Sequence, residues 1–112
     1  MQGFLIAYRL EPAPAGGLPP YGGLLDAAEE HGLWSLVWEA ASARRLPDGR
    51  LWGRFEDARA ALDAFDSALA DASDLLGYPV RARGRLAWPA DSIGEVENPF
   101  AQAKALLYLS HR

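Results

Sequence analysis

The chain contains no cysteine, which excludes disulfides and thiolate metal sites and is compatible with a reducing compartment. It has two histidines, His31 and His111, far apart in sequence. That spacing fits no metal site, and no serine stands in a pattern that would set either imidazole beside a nucleophile. There is no run of about eighteen apolar residues, so no membrane span is expected. Residues 1–9 lack the basic stretch and cleavage site of a signal peptide, and a cytoplasmic protein is expected. Gly22-Gly23 lacks the lysine and Ser/Thr of a phosphate-binding loop and reads as a turn into a helix. No repeat or low-complexity tract is present. These absences point away from an enzyme: no catalytic residue, metal or cofactor is expected.

At 112 residues, half of them hydrophobic, the chain is long enough for one core and too short for two. Its charge is segregated. Eight of the ten arginines, Arg9, Arg44, Arg45, Arg50, Arg54, Arg81, Arg83 and Arg85, lie in stretches that read as strands or a hairpin. The acids lie mainly in helical stretches and after residue 90. A net charge of −4 thus hides an acidic helical side and a basic sheet side, which argues against a general nucleic-acid coat but leaves room for a local basic patch.

Gly3–Leu10 alternates and predicts a strand. Residues 11–20, rich in proline and glycine, form a loop. Leu24–His31 predicts a short helix, with Gly32 as its left-handed cap and His31 favoured as a cation at the helix C-terminus. Leu33–Ala43 alternates again, Leu46-Pro47-Asp48-Gly49 is hairpin-turn chemistry, and Arg50–Phe55 is the return strand. Glu56–Leu76 repeats apolar residues at helical spacing through Ala58, Leu62, Phe65, Leu69, Ala72 and Leu76. Val80–Trp88 predicts a fourth strand. Asp91, Glu95 and Glu97 form an acidic linker, and Asn98-Pro99 opens a last helix to about Ser110.

The order β-α-β-β-α-β is the ferredoxin-like arrangement. The expected fold is therefore α+β: a four-stranded antiparallel sheet with two helices on one face over residues 1–90, and an acidic linker and C-terminal helix over 91–112. Period two assigns Phe4, Ile6, Tyr8, Trp34, Leu36, Trp38, Leu51, Phe55, Val80, Leu86 and Trp88 to the helix side. It assigns Arg9, Arg50, Trp52, Arg54, Arg81, Arg83 and Arg85 to the other, with Val37 and Glu39. Like charges on neighbouring strands repel by a few tenths to about 1 kcal/mol per opposed pair, so such a face calls for an anion. That anion is either a partner's, with Trp52 stacking on a base, or the chain's own acids beyond residue 90, with the last helix as cover.

The stretch DGRLWGRFEDARAALDAFDSALADASDLLGYPVRARGR, Asp48 to Arg85, resembles the second half of an RNA-recognition motif. Aligned on Phe55, it puts Trp52 at a base-stacking position and Arg50 where a second aromatic is usual; Leu5-Ile6-Ala7 departs from the first-strand motif. FLIAYRL, a proline-glycine loop and YGGLL resemble the opening of the small CRISPR adaptation nucleases and their antitoxin-like relatives. Arg9 stands at their metal-ligand aspartate, so that resemblance implies a member without the nuclease. The expected function is a non-enzymatic, antitoxin- or inhibitor-like binding module. It forms a homodimer and engages nucleic acid or an acidic protein through Arg9, Arg50, Trp52, Arg54, Arg81, Arg83 and Arg85. The alternative is a dimeric small-molecule enzyme or sensor with an apolar pocket near His31. A structural subunit docking through the last helix is a third reading.

Overall fold

A computed structural model describes residues 1–39 and 42–90, with 37–39 and 42–44 described in backbone alone. The expected helix after Asn98, and the acidic linker before it, lie outside the described residues. The elements are β1 (Gln2–Leu10), α1 (Pro20–Glu29), β2 (Leu36–Glu39), β3 (Ser42–Arg45), β4 (Arg50–Phe55), α2 (Ala58–Leu76) and β5 (Ala82–Pro89). The fold is α+β, with β1 central in an antiparallel three-stranded sheet of order β4-β1-β5. No described helix is long and apolar enough to cross a membrane.

Both helices pack on one face of that sheet. Phe4, Ile6, Tyr8 and Leu10 of β1 form one core cluster with Leu24, Ala27 and Ala28 of α1 and Ala61, Phe65, Ala68 and Ala72 of α2. Helix α2 is held at both ends. The Asp57 carboxylate accepts the Ala60 N–H at 2.7 Å, and Gly77 closes the helix at φ 79°, as a left-handed cap requires. The Ser73 hydroxyl then donates to Leu69 O and accepts from Val80 N, both at 2.8 Å, steering the chain toward β5.

The four-stranded expectation is corrected. Among the described residues, the stretch after Leu33 does not run alongside β4 as a strand. Leu33 turns into the core, and among the described residues of this stretch Trp34 alone bridges β4, at Trp52, through N–H···O bonds of 2.8 and 2.9 Å. Beyond it, β2 pairs with β3, from Leu36↔Arg45 to Glu39↔Ser42, as a separate two-stranded arm. The same alternation serves either pairing, and the sequence between Glu39 and Ser42 carries none of the Gly, Pro or Asn that announces a reversal. Pro47-Asp48-Gly49 does turn the chain, but it joins the arm to β4 rather than closing a hairpin. Trp34 at the bridge and Leu36 on the arm, both expected on the helix side, are 44% and 54% exposed. Trp38, Val37 and Glu39 have side chains outside the description.

Helix α1 begins four residues before its expected start because Pro20 occupies its first turn, where a missing N–H costs nothing. Its two glycines lie in different surroundings. A Cβ on Gly22 would meet nothing within 4 Å, whereas one on Gly23 would lie 2.7 Å from the Leu76 side chain. Gly22→Ala is expected to stabilise the protein by about 0.5–1 kcal/mol, and Gly23→Ala to destabilise it by about 1–2 kcal/mol. Urea unfolding of the pair measures both signs.

Candidate functional site

Strand register decides which arginines share a face. Opposite the helices, Trp52 of β4 and Trp88 of β5 flank Leu5 of β1. They form a second apolar cluster with Leu46 and Ala90. Trp88 and Leu86 thus lie on the open face, not on the helix side as alternation from Val80 implied. The reason is an irregularity between Arg9 and Leu10: Leu10 pairs with Ala82 and Arg9 with Gly84, so Arg83 is an extra residue that reverses the phase of β5.

The same phase reversal removes Arg85 from the expected arginine face. It pairs with Tyr8 on the helix side and grips Asp66 of α2 in a fork, Nε–Oδ1 2.7 Å and Nη2–Oδ2 2.8 Å. Arg54 remains on the open face, where it donates to Met1 O at 3.0 Å. Trp52 lies over Gly3, its Cζ2 2.7 Å from where a Cβ would stand. Its indole N–H donates to Ala90 O at 2.7 Å. That hydrogen bond fixes the ring, half-buried, beside the point where the described chain ends.

Arg9, Arg81 and Arg83 collect at the irregular end of the β1–β5 ladder, where Glu11 N also donates to Arg81 O at 2.8 Å. All three are exposed, and among the described residues none forms an ion pair. Arg9 and Leu5 are four residues apart on one strand face, about 13 Å along β1. The basic end and the tryptophan row are therefore adjacent parts of one surface.

Arg50 belongs to a different feature. Its Nη1 donates to Gly49 O at 3.0 Å, and its Nε is buried without a hydrogen-bond partner. It lines a cleft of about 240 Å³, open mouth included, with Tyr8, Tyr21, Ser35, Leu46 and the Arg45–Gly49 turn. The Tyr8 and Tyr21 rings stack with centroids 6.0 Å apart, and Tyr21 Oη accepts the Leu10 N–H at 3.1 Å. Burial, then Tyr21 and Asp48, pushes the Tyr8 phenol well above its ordinary pKa. Burial likewise holds the Arg50 guanidinium below its usual value. Sequence reasoning named Arg50 but missed Tyr8 and Tyr21 as polar groups, because an aromatic on the core face of a strand reads as packing.

His31, the candidate for a small-molecule site, lies just beyond α1 and meets Asp71 of α2, Nε2 to Oδ2 2.6 Å. It does not line the cleft. Among the described residues no group of three or more acidic, histidine or cysteine side chains could hold a metal. No protein-family model, curated protein or solved structure matches this chain.

Proposed function

We propose that the protein is a non-enzymatic binding module, acting in the cytoplasm, whose open sheet face and basic end engage an anionic partner. The observation that carries this reading is the gathering of Arg9, Arg81 and Arg83, exposed and without ion pairs among the described residues, beside the Trp52–Leu5–Trp88 row. Guanidiniums on the same face as the fixed Trp52 indole match the demands of single-stranded nucleic acid, which offers phosphates and unstacked bases together. Arg54 extends the surface, while Arg50 and Arg85 are committed elsewhere.

The test is tryptophan fluorescence during titration with single-stranded oligonucleotides. Arg9→Gln/Arg81→Gln/Arg83→Gln is expected to weaken binding roughly a hundredfold at 0.1 M salt, about 0.7 decade per phosphate contact. Its unfolding midpoint should barely move, since no described contact is lost. If the oligonucleotide does not bind but an acidic polypeptide does, with the same three arginines required, the partner is protein. Unchanged affinity in the triple variant for either would sink the reading.

Ala90 supports a second reading, in which the chain covers its own face. It is fully buried in the tryptophan cluster, and Asp91, Glu95 and Glu97 follow it in sequence. Self-association belongs here too, since among the described residues β5 has an unpaired outer edge open to strand addition. Sedimentation at rising concentration distinguishes a 12.2 kDa monomer from a species of twice that mass.

A further inference from the structure

We propose that the cleft between α1 and the Arg45–Gly49 turn binds a carboxylate group, with Arg50, Tyr8 and Tyr21 as its hydrogen-bond donors. This site is separate from the open sheet face, and its argument is one of donors without acceptors. Arg50 Nε is buried with no hydrogen-bond partner, an arrangement that is unfavourable for a charged donor unless something accepts from it. The Tyr8 hydroxyl makes no hydrogen bond among the described residues. Tyr21 Oη already accepts from Leu10 N, so its own proton is left to donate. Ser35 adds a fourth hydroxyl to the lining.

Charge favours the same occupant. Arg45 and Asp48 both lie at the cleft, 3.9 Å apart in a loose, exposed pair, and largely offset one another. That leaves the Arg50 guanidinium as the net local charge. Space is small, enough for about one water-sized group inside the mouth. A carboxylate meets that limit with one oxygen inside, accepting from the guanidinium and hydroxyls, and the other at the open mouth, where a tetrahedral phosphate would bring more bulk. The carboxylate belongs either to a small free acid or to an acidic side chain of the protein itself, for which Asp91, Glu95 and Glu97 are the nearest in sequence after β5.

The experiment follows the Arg50 Nε–H resonance by nitrogen-15 NMR in the full chain during titration with acetate, and with chloride at matched ionic strength. The proposal expects a saturable shift with acetate and none with chloride. It also expects Tyr8→Phe, which preserves the ring in the core, to weaken the acetate response about tenfold or more. Asp91→Asn/Glu95→Gln/Glu97→Gln separates the two sources. If wild type and variant titrate alike, the ligand is a free acid; if only the variant responds, one of those three residues fills the cleft. Absence of an acetate response in both proteins, or an equal response to chloride, would overturn the proposal and leave a cleft that holds water alone.

Discussion

Phe65→Ala is expected to remove about 3–5 kcal/mol of unfolding free energy, the largest loss from any single truncation here. Phe65 lies midway along α2 and is fully buried, with its ring centroid 5.0 Å from that of Tyr8. It shares a core cluster with α1, β1 and β4, so the void left by alanine would open between both helices and the sheet. Little can collapse into it, because the neighbouring helical positions are alanines, Ala61, Ala68 and Ala72, which have no length to extend. Urea unfolding measures the loss as a lower midpoint at unchanged slope. A loss below about 1 kcal/mol would mean that the ring is not at the centre of the packing.

Gly53→Ala is expected to destabilise by about 3 kcal/mol, the upper end for overpacking, and to lower Tm by roughly 10–20 °C. The cause is a close approach of two backbones. A Cβ on Gly53 would lie 2.2 Å from Gly32 O and 2.7 Å from the Phe55 ring. A flexible side chain could yield, but the Gly32 carbonyl belongs to the turn that ends α1, where the Leu33 N–H bonds back to Ala28 O at 3.0 Å. Relief would have to move that turn and the Trp34–Trp52 bridge two residues later. Gly84→Ala is the control, since nothing lies within 4 Å of its Cβ position. Thermal unfolding of the two should differ widely; similar midpoints would contradict the close-approach argument.

Much of the fold was legible because it is set by local chemistry. The span of β4, Arg50–Phe55, follows from alternation between turn residues, and α2 from its helical period, though it starts at Ala58, two residues after the expected Glu56. The buried stripe of α2 was less so. Ala61, Phe65, Ala68 and Ala72 are the buried positions, while Leu62 and Leu69 flank them. Hydrophobicity favours leucine, but a second helix packed closely favours small residues at the contact, and only the tertiary structure shows where α1 lies. The separate β2–β3 arm was invisible for a related reason, because period two does not name a strand's partner.

The candidate surface depended on one residue of register. A single extra residue at Arg83 moved Trp88 and Leu86 onto the open face and Arg85 onto the helix side, where Asp66 receives it. Asp66 and Asp71 belong to the helical acids of the charge segregation, and nothing in their spacing names a partner. Their partners, Arg85 and His31, are 19 and 40 residues away in sequence, a distance at which spacing carries no signal. Both pairs are part-exposed, so each contributes at most about 1 kcal/mol and serves mainly to orient its side chains.

The central claim, that the basic end of the open face contacts anions, is tested most directly by the salt dependence of single-stranded oligonucleotide binding. Affinity is to be measured across a salt series for the wild-type protein and for Arg9→Gln/Arg81→Gln/Arg83→Gln. Each phosphate contact contributes about 0.7 to the slope of log affinity against log salt, so the variant's slope should be shallower by about 2. Parallel slopes, or no wild-type binding of either the oligonucleotide or an acidic polypeptide even at the lowest salt, would contradict the account.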